Sequence, residues 1–244
     1  MSDTLVVNEV YLSLQGESTF AGLPCIFIRL TACNLRCSYC DTAYAFTEGS
    51  PRTIQSIVDE VDLIATKYAE QPGRCKLPLV ELTGGEPLLQ RNSLPLMRQL
   101  CDLGFDVLIE TSGALDISQV DSRVHRIMDL KCPSSGESDR NRFENIPHLR
   151  STDEVKFVIG TREDYEWAKE QLRRYDLASI CSILFSWVSP LTAEQQHESL
   201  KRVPPGQTPI SRLELVESVI ADHLPVRFQL QMHKFIWAPE QRGV

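Results

Sequence analysis

The stretch TACNLRCSYCDT, residues 31–42, carries Cys33, Cys37 and Cys40 in the spacing C-x3-C-x2-C. A disulfide uses two thiols and a structural zinc takes four ligands. Three clustered thiols with no obvious fourth describe a site with one position left open. A loop this tight can present three thiolates to one face of an iron–sulfur cube, soft ligands for soft iron. The other cysteines, Cys25, Cys75, Cys101, Cys132 and Cys181, are scattered singly. Cys25 and Cys181 sit in apolar strand patterns and Cys101 in a helical one, which suits small core residues. Cys75 and Cys132 are harder to dismiss as a fourth ligand, and a zinc site completed by a cysteine or a histidine is the alternative.

The rest of the composition narrows the class. The chain has 244 residues, and its 42% hydrophobic content is ample for a sizeable core. A formal net charge of -8 argues against a broad nucleic-acid or anionic-membrane surface, both of which want clustered Lys and Arg. It leaves room for a small anionic substrate held by one or two basic side chains. The opening MSDTLVVNEVYLS has no basic region followed by an apolar one, and no apolar run approaches the roughly 20 residues needed to span a bilayer. The expectation is a cytoplasmic protein in a reducing compartment, with one cysteine cluster for metal or redox chemistry.

Outward from the cysteines, strand and helix patterns alternate. CIFIRLT (25–31) reads as a buried strand feeding the cysteine loop, and 53–70 carries Ile54, Ile57, Val58, Val61 and Ile64 on one helix face. Strands are predicted at 79–82, 107–110, 125–131, 154–160, 182–188 and 226–237. Helices are predicted at 93–104, closed by Gly104, at 162–175 and within 211–224. The polar stretch 134–145 reads as a loop. The fold class is α/β, a partial, open βα barrel of about six parallel strands with reduced helix content, since a full barrel needs eight. No shift in composition divides the chain, so 1–244 reads as one domain, with 188–211 an insert, lid or dimer element.

In parallel sheets function collects beyond the C-terminal ends of strands. Those positions hold the cysteine loop, TGGEP, TSG, KCPSSGE and, on the last predicted strand, QLQMH. Glycines at a strand end let backbone approach a ligand closely. Lys131 and Lys156 lie in or at the ends of apolar strands, where an unpaired ammonium is costly. They should face a cleft or find a carboxylate.

CNLRCSYC followed by GGEP resembles the signature of the radical S-adenosylmethionine superfamily. With LQGES, the Arg of CIFIR, the CDT sequel, ETSG, DLKCPSSGE, EVKFVI and the late QMHK, the chain is similar over about 11–240 to the 7-carboxy-7-deazaguanine synthase family. The resemblance implies a radical lyase of deazapurine (queuosine) biosynthesis. It would contract 6-carboxy-5,6,7,8-tetrahydropterin to 7-carboxy-7-deazaguanine with loss of ammonia. Cys33, Cys37 and Cys40 would hold a 4Fe–4S cluster whose open iron binds S-adenosyl-L-methionine, and Thr42 would hold Mg2+. Tyr39 would lie beside the adenine, Gly84 and Gly85 would hold the methionyl end, and Glu86 would support its charge. Thr111, Ser112, Ser134, Lys131 and Lys156 are further cofactor candidates. Leu14, Gln15, Glu17, Arg29, Thr83 and His233 would contact the pterin: Glu17 its donor edge, Gln15 and the backbone around Leu14 its amide edge, His233 its carboxylate. No side chain is assigned as a catalyst, because the cofactor supplies a 5′-deoxyadenosyl radical. An electron donor such as flavodoxin or ferredoxin and a homodimer are implied, with no nucleic acid or membrane partner. Lys234 reads as surface charge, and the tail WAPEQRGV extends past the point where some relatives end. The alternatives are an activase of a glycyl-radical enzyme and an electron-transfer iron–sulfur protein.

Overall fold

Alternating side chains build the centre of the molecule. The computed structural model describes residues 3–69, 77–238 and 241–244; Cys75 lies outside them. Strands β1 (Thr4–Leu14), β2 (Pro24–Leu30), β3 (Ser50–Thr53), β4 (Leu79–Gly84), β5 (Asp106–Thr111), β6 (His125–Asp129), β7 (Glu154–Ile159), β8 (Ser182–Trp187) and β9 (Arg227–Gln229) form one sheet. Its order is β3-β1-β2-β4-β5-β6-β7-β8-β9. From β2 through β9 every neighbouring pair is parallel, whereas β1 runs antiparallel to both β2 and β3. The partial barrel is as expected, with seven parallel strands rather than about six because β9 adds a short one.

Successive side chains on each strand leave opposite faces. Ile26, Ile28, Val80, Leu82, Val107, Ile109, Val155 and Phe157 belong to the main core, which also holds the buried stripe of α1 (Ile54–Ala69) and residues of α2 (Ser93–Asp102) and α3 (Arg162–Arg174). The alternate residues face the barrel interior in two layers. Cys25, Phe27, Leu79, Leu108 and Ile127 make an apolar plug. Two residues further along their strands, Arg29, Glu81, Glu110 and Asp129 line a cleft.

The loop between β1 and β2 meets the starts of the inner strands. Thr19 donates its backbone N–H to Glu154 Oε1 at 3.1 Å, and Phe20 meets the His125 ring edge-on at 5.2 Å between centroids. This loop therefore brings Gln15 and Glu17 to the cleft. The predicted strand over 226–237 is corrected. β9 pairs with β8 for three residues, after which the chain turns so that Met232 N–H donates to Gly16 O at 3.0 Å. His233 thus opens the one-turn helix α6 (His233–Ile236) and is not on a strand. The strand β3 was not anticipated, because SPRT has no apolar alternation and pairs only through β1.

Gly84 and Gly85 hold β4 against the end of β2. Gly85 N–H donates to Leu30 O at 3.1 Å and Glu86 N–H to Ala32 O at 2.8 Å. A Cβ at Gly85 would overlap the Ala32 carbonyl, and Gly84 has φ +135, a conformation L residues rarely adopt. The protein backbone itself therefore demands both glycines. Gly85→Ala is expected to displace the start of the cysteine loop, lowering the iron bound on anaerobic reconstitution at least severalfold while circular dichroism stays near parental. Parental iron content in the variant would contradict this coupling.

Candidate active site

The cysteine loop is pinned from three sides. Ala32, at φ +79, donates its N–H to Ala45 O at 2.9 Å. Ser38 N–H reaches Ser135 O at 3.0 Å and its hydroxyl Ser134 O at 2.7 Å. Arg36 N–H donates to Glu137 Oε1 at 2.7 Å. Within the loop Leu35 N–H points to Cys33 Sγ at 3.4 Å. Burial pushes all three thiols up, Cys37 to about 12, with the nearby Lys131 ammonium pulling the other way. Free thiols here stay protonated at neutral pH, so a metal must displace the protons.

Among the described residues no three His, Cys, Asp or Glu side chains converge as they would around a single metal ion. Three thiols on one rim of the cleft, each free to meet a different iron, fit a cluster better than a zinc ion. Cys132 is fully buried in the main core with its sulfur toward Leu130 O at 3.9 Å, and it does not line the cleft. Cys25 lies in the apolar plug.

Two orphaned polar atoms mark room for a polar ligand beside the loop. Tyr39 Oη and Ser134 Oγ are buried without a partner, and both residues line a cavity of about 700 Å³ that also touches Gly160 and Val188. Buried hydroxyls normally find partners, so a ligand with donors and acceptors fits there.

Glu86 needs correction. It is fully buried, and its carboxylate accepts from Thr111 Oγ1 at 3.0 Å, from Ser112 N–H and Oγ at 2.6 Å each, and from Leu88 N–H at 3.0 Å. It binds the GGEP loop to the TSG loop instead of facing a cofactor charge. The Thr111 and Ser112 hydroxyls give it their protons and keep acceptor capacity, and both residues touch the cleft.

The cleft, about 520 Å³, also has a built polar floor. Lys156, 5% exposed, sits with Nζ 3.1 Å from Glu17 Oε2, 3.0 Å from Glu110 Oε1 and 3.9 Å from Asp129 Oδ2. Burial disfavours its charge, yet these carboxylates hold its pKa well above the ordinary lysine value. Burial likewise works against the Glu17 carboxylate, but Lys156, His233 and Gln231 outweigh it and keep it ionised. Gln231 Nε2 donates to Glu17 Oε1 at 2.9 Å. An ionised carboxylate has about four acceptor sites, so Glu17 keeps capacity for a ligand. Thr83 Oγ1 donates to Glu110 Oε2 at 3.0 Å, and Lys131 Nζ pairs with Asp129 at 2.8 Å.

Gln15 differs from expectation. Its side chain donates to Glu81 and accepts from Glu17 N–H at 2.9 Å, while its backbone pairs with Leu23 and Gly22. It positions Glu17, and it lines the cleft beside Leu14 with half of its amide capacity left. Arg29 stands on the cleft wall, its side chain 12% exposed, with Nε on Glu9 at 2.7 Å and Nη2 on Tyr11 Oη at 2.7 Å. Thr42 lines the cleft beside Cys40, and its hydroxyl is not used to cap the following turn. His233 stands between Gly16 and Asp41. Lys234 is not surface charge: it is 12% exposed and pairs with Asp41 at 2.7 Å. Burial pushes the Asp41 carboxyl up, and Lys234 and His233 bring it well below the usual range.

Comparison with known proteins decides between the families this architecture allows. The Radical SAM superfamily pattern matches residues 27–136. A 7-carboxy-7-deazaguanine synthase of Koribacter versatilis is 44% identical over 98% of this chain and 99% of its own length. Its namesake from Chlorobaculum tepidum is 40% identical over 98% and 97%. The chain belongs to the 7-carboxy-7-deazaguanine synthase family. Membership brings a radical S-adenosylmethionine enzyme with its 4Fe–4S cluster. The crystal structure of QueE from Escherichia coli shares the fold, with TM-score 0.65 and 22% identity over 94% of this chain and 95% of that one. Streptococcus suis SuiB bound to S-adenosylmethionine has TM-score 0.54 and 14% identity over 82% of this chain and 48% of its own.

In this synthase-family chain, Glu81, Glu110, Asp129 and Asp41 carry no role in the motifs of the sequence. A signal existed for the first three: each acid falls in phase with the inward apolar residue two positions before it, at Leu79, Leu108 and Ile127. The C-terminal tail, which runs past the end of some relatives, reaches the cleft. Arg242 lies over the Tyr44 ring at 4.0 Å and pairs with Glu48 at 2.5 Å, and residues 241–244 line the cleft.

Glu81, 1% exposed, is raised well above 4.5 by burial first and then by Glu110, so the fold holds it protonated. A carboxyl whose folded pKa is raised stabilises fully below its unfolded pKa and loses that contribution as pH climbs toward the folded value. The parent should therefore lose stability relative to Glu81→Gln as pH rises from about 4.5. Urea unfolding of both proteins at pH 5 and pH 8 checks this, and a stability difference that does not move with pH refutes it.

Proposed function

We propose that the chain is a 7-carboxy-7-deazaguanine synthase. It converts 6-carboxy-5,6,7,8-tetrahydropterin to 7-carboxy-7-deazaguanine, releasing ammonia, in deazapurine (queuosine) biosynthesis. The observation that carries this is the buried, ionised Glu17 at the cleft floor, beside Glu110 and Asp129, with Arg29 in the same cleft. Carboxylates exceed cations on that floor, which suits a ring edge rich in N–H donors, and the Arg29 cation suits the single carboxylate.

Cys33, Cys37 and Cys40 would hold the cluster, and the bound cofactor supplies a radical that abstracts hydrogen. The chain's own side chains bind, orient and exclude water. Glu17 accepts from the pterin's guanidine-like edge, with Lys156 and Gln231 fixing its carboxylate and Gln15 fixing its backbone. Thr83 and Leu14 line the ring's flank. Arg29 and His233 neutralise the substrate carboxylate, and Thr42 offers one hydroxyl to a Mg2+ that takes its remaining ligands from substrate and water. Tyr39 and Ser134 meet the adenosine half, Gly84 and Gly85 the methionyl end, and Lys131 the rim between Asp129 and the thiols.

An outside one-electron donor of the flavodoxin or ferredoxin kind completes the cycle. A second copy of the chain covers the apolar residues left exposed late in the chain, Leu213, Ile220, Phe235 and Ile236, at 50–66% exposure. Among the described residues no helix is long and apolar enough to cross a membrane. The described cysteines are all free thiols, in keeping with a reducing, cytoplasmic setting.

Reconstituted, reduced protein given S-adenosylmethionine and 6-carboxytetrahydropterin should yield 7-carboxy-7-deazaguanine by mass and ultraviolet absorbance. Cofactor cleavage without that product would leave the superfamily chemistry and remove the substrate. Glu17→Gln turns one acceptor into a donor facing the ring's own donors. Such a loss costs about 2–5 kcal/mol, so turnover should fall at least tens-fold at about 1.4 kcal/mol per tenfold, with iron content retained.

Cysteine and threonine variants separate the two metals. Replacing Cys33, Cys37 or Cys40 by Ser should abolish the cluster, and Cys132→Ser should leave it intact. Thr42→Ala should lower turnover and flatten its Mg2+ dependence while iron and cofactor binding persist; Mg2+-independent turnover in the parent would strike Thr42 from the scheme.

A further inference from the structure

Residues 188–211 lead from β8 to α5 (Arg212–Ala221) and lie as a strap over the cavity beside Tyr39 and Ser134. One end is sewn to the start of α3. Arg162 N–H donates to Thr208 O at 2.8 Å, Ile210 N–H to Gly160 O at 3.1 Å, and Thr161 bridges Pro209. Further back it is fastened to the cysteine loop, where Lys201 N–H donates to Arg36 O at 2.8 Å. Before that fastening, 192–200 carries hydrogen bonds within the strap itself, such as Gln195 N–H to Thr192 O and Leu200 N–H to His197 O.

Glu137 sits where strap and cysteine loop meet. It is 4% exposed, on the loop after β6. One carboxylate oxygen, Oε1, accepts from Arg36 N–H at 2.7 Å, inside the C-x3-C-x2-C loop. The other, Oε2, accepts from Lys201 Nζ at 2.8 Å, on the strap. Lys201 Nζ also donates to Gly136 O at 2.5 Å. Gly136, at φ +73, leaves space for the lysine stem, since a Cβ there would stand 3.0 Å from Lys201 Cδ. A single carboxylate therefore touches both the segment carrying the thiols and the segment covering the neighbouring cavity.

We propose that Glu137 is a positioning residue that couples closure of the 188–203 strap over the cofactor cavity to the geometry of the cysteine loop. It rests on the assignment of the cluster to Cys33, Cys37 and Cys40. Freeing Lys201 opens the strap and lets the cofactor exchange. Closing it returns the Glu137 carboxylate to Arg36 N–H and draws the loop into the shape that receives iron, with water kept from the cavity.

Three variants separate the two contacts. Lys201→Met removes the strap contact and leaves the Glu137 carboxylate in place for Arg36 N–H. Glu137→Gln keeps an oxygen acceptor for Arg36 N–H and loses the charge that holds Lys201. Glu137→Ala loses both. In hydrogen exchange of the unreconstituted protein, peptides within 189–203 should exchange about tenfold faster in all three, the change expected from losing one charged hydrogen bond. Iron content, and the shift of the reduced cluster's electron paramagnetic signal on adding S-adenosylmethionine, should fall severalfold in Lys201→Met and Glu137→Gln, in step with the opened strap, and fail in Glu137→Ala. Parental exchange of the strap in Lys201→Met overturns the latch, and parental iron and signal shift in a Lys201→Met protein whose strap exchanges faster overturn the coupling. Should Glu137→Ala not fold, matching strap exchange in the other two supports the latch, and slower exchange in Glu137→Gln rejects it. A parent protein that takes up no iron refutes the cluster assignment instead, and the exchange comparison still stands.

Discussion

A buried ammonium organises the active cleft. Lys156 projects from the inward face of β7, where leaving it unpaired would cost several kcal/mol, about the penalty for an ion taken out of water. Its partners come from separate parts of the chain: Glu17 from the β1–β2 loop, Glu110 from β5 and Asp129 from β6. Pairing these groups fixes where the β1–β2 loop sits against the barrel. That in turn places Glu17, through the doubly engaged Gln15, at the cleft floor.

The same logic recurs on the cofactor side with the sign reversed. Glu86 is a buried carboxylate served by hydroxyls and backbone donors from two loops. Fully satisfied networks of this kind are rigid, and a half-satisfied one would be costly. The charged cleft floor and the network around Glu86 are therefore two preorganised shells joined by the strand ends of β4 and β5. Preorganisation suits chemistry in which the protein supplies orientation and dryness while the cofactor supplies reactivity.

Closure of the cleft depends on late parts of the chain returning to early ones. Lys234 meets Asp41, Gln231 meets Glu17, and Arg242 meets Tyr44 and Glu48. An open parallel sheet leaves a gap between its edges, and these contacts bring the C-terminal segment across to the β1 and cysteine-loop side. The acidic composition that argued against nucleic acid and membranes reads locally as a cleft floor rich in carboxylates.

Periodicity along the chain was enough to determine the parallel sheet and the strand ends where motifs gather, because alternation and helix spacing are local properties. The tight cysteine spacing likewise determined a thiol-rich loop, and the motif resemblance picked out Glu17, Arg29, Thr42 and His233, all of which line the cleft. Tertiary structure alone decided which polar groups were already spent. Gln15, Glu86, Thr111 and Ser112 look like free ligands in a string of letters, but partners up to 66 positions away take up the Glu86 carboxylate and part of the capacity of the other three. The partnerships of Glu81, Lys234 and Glu137 are of the same kind. A charge's role depends on what lies opposite it, and only folding brings residues 41 and 234, or 137 and 201, face to face.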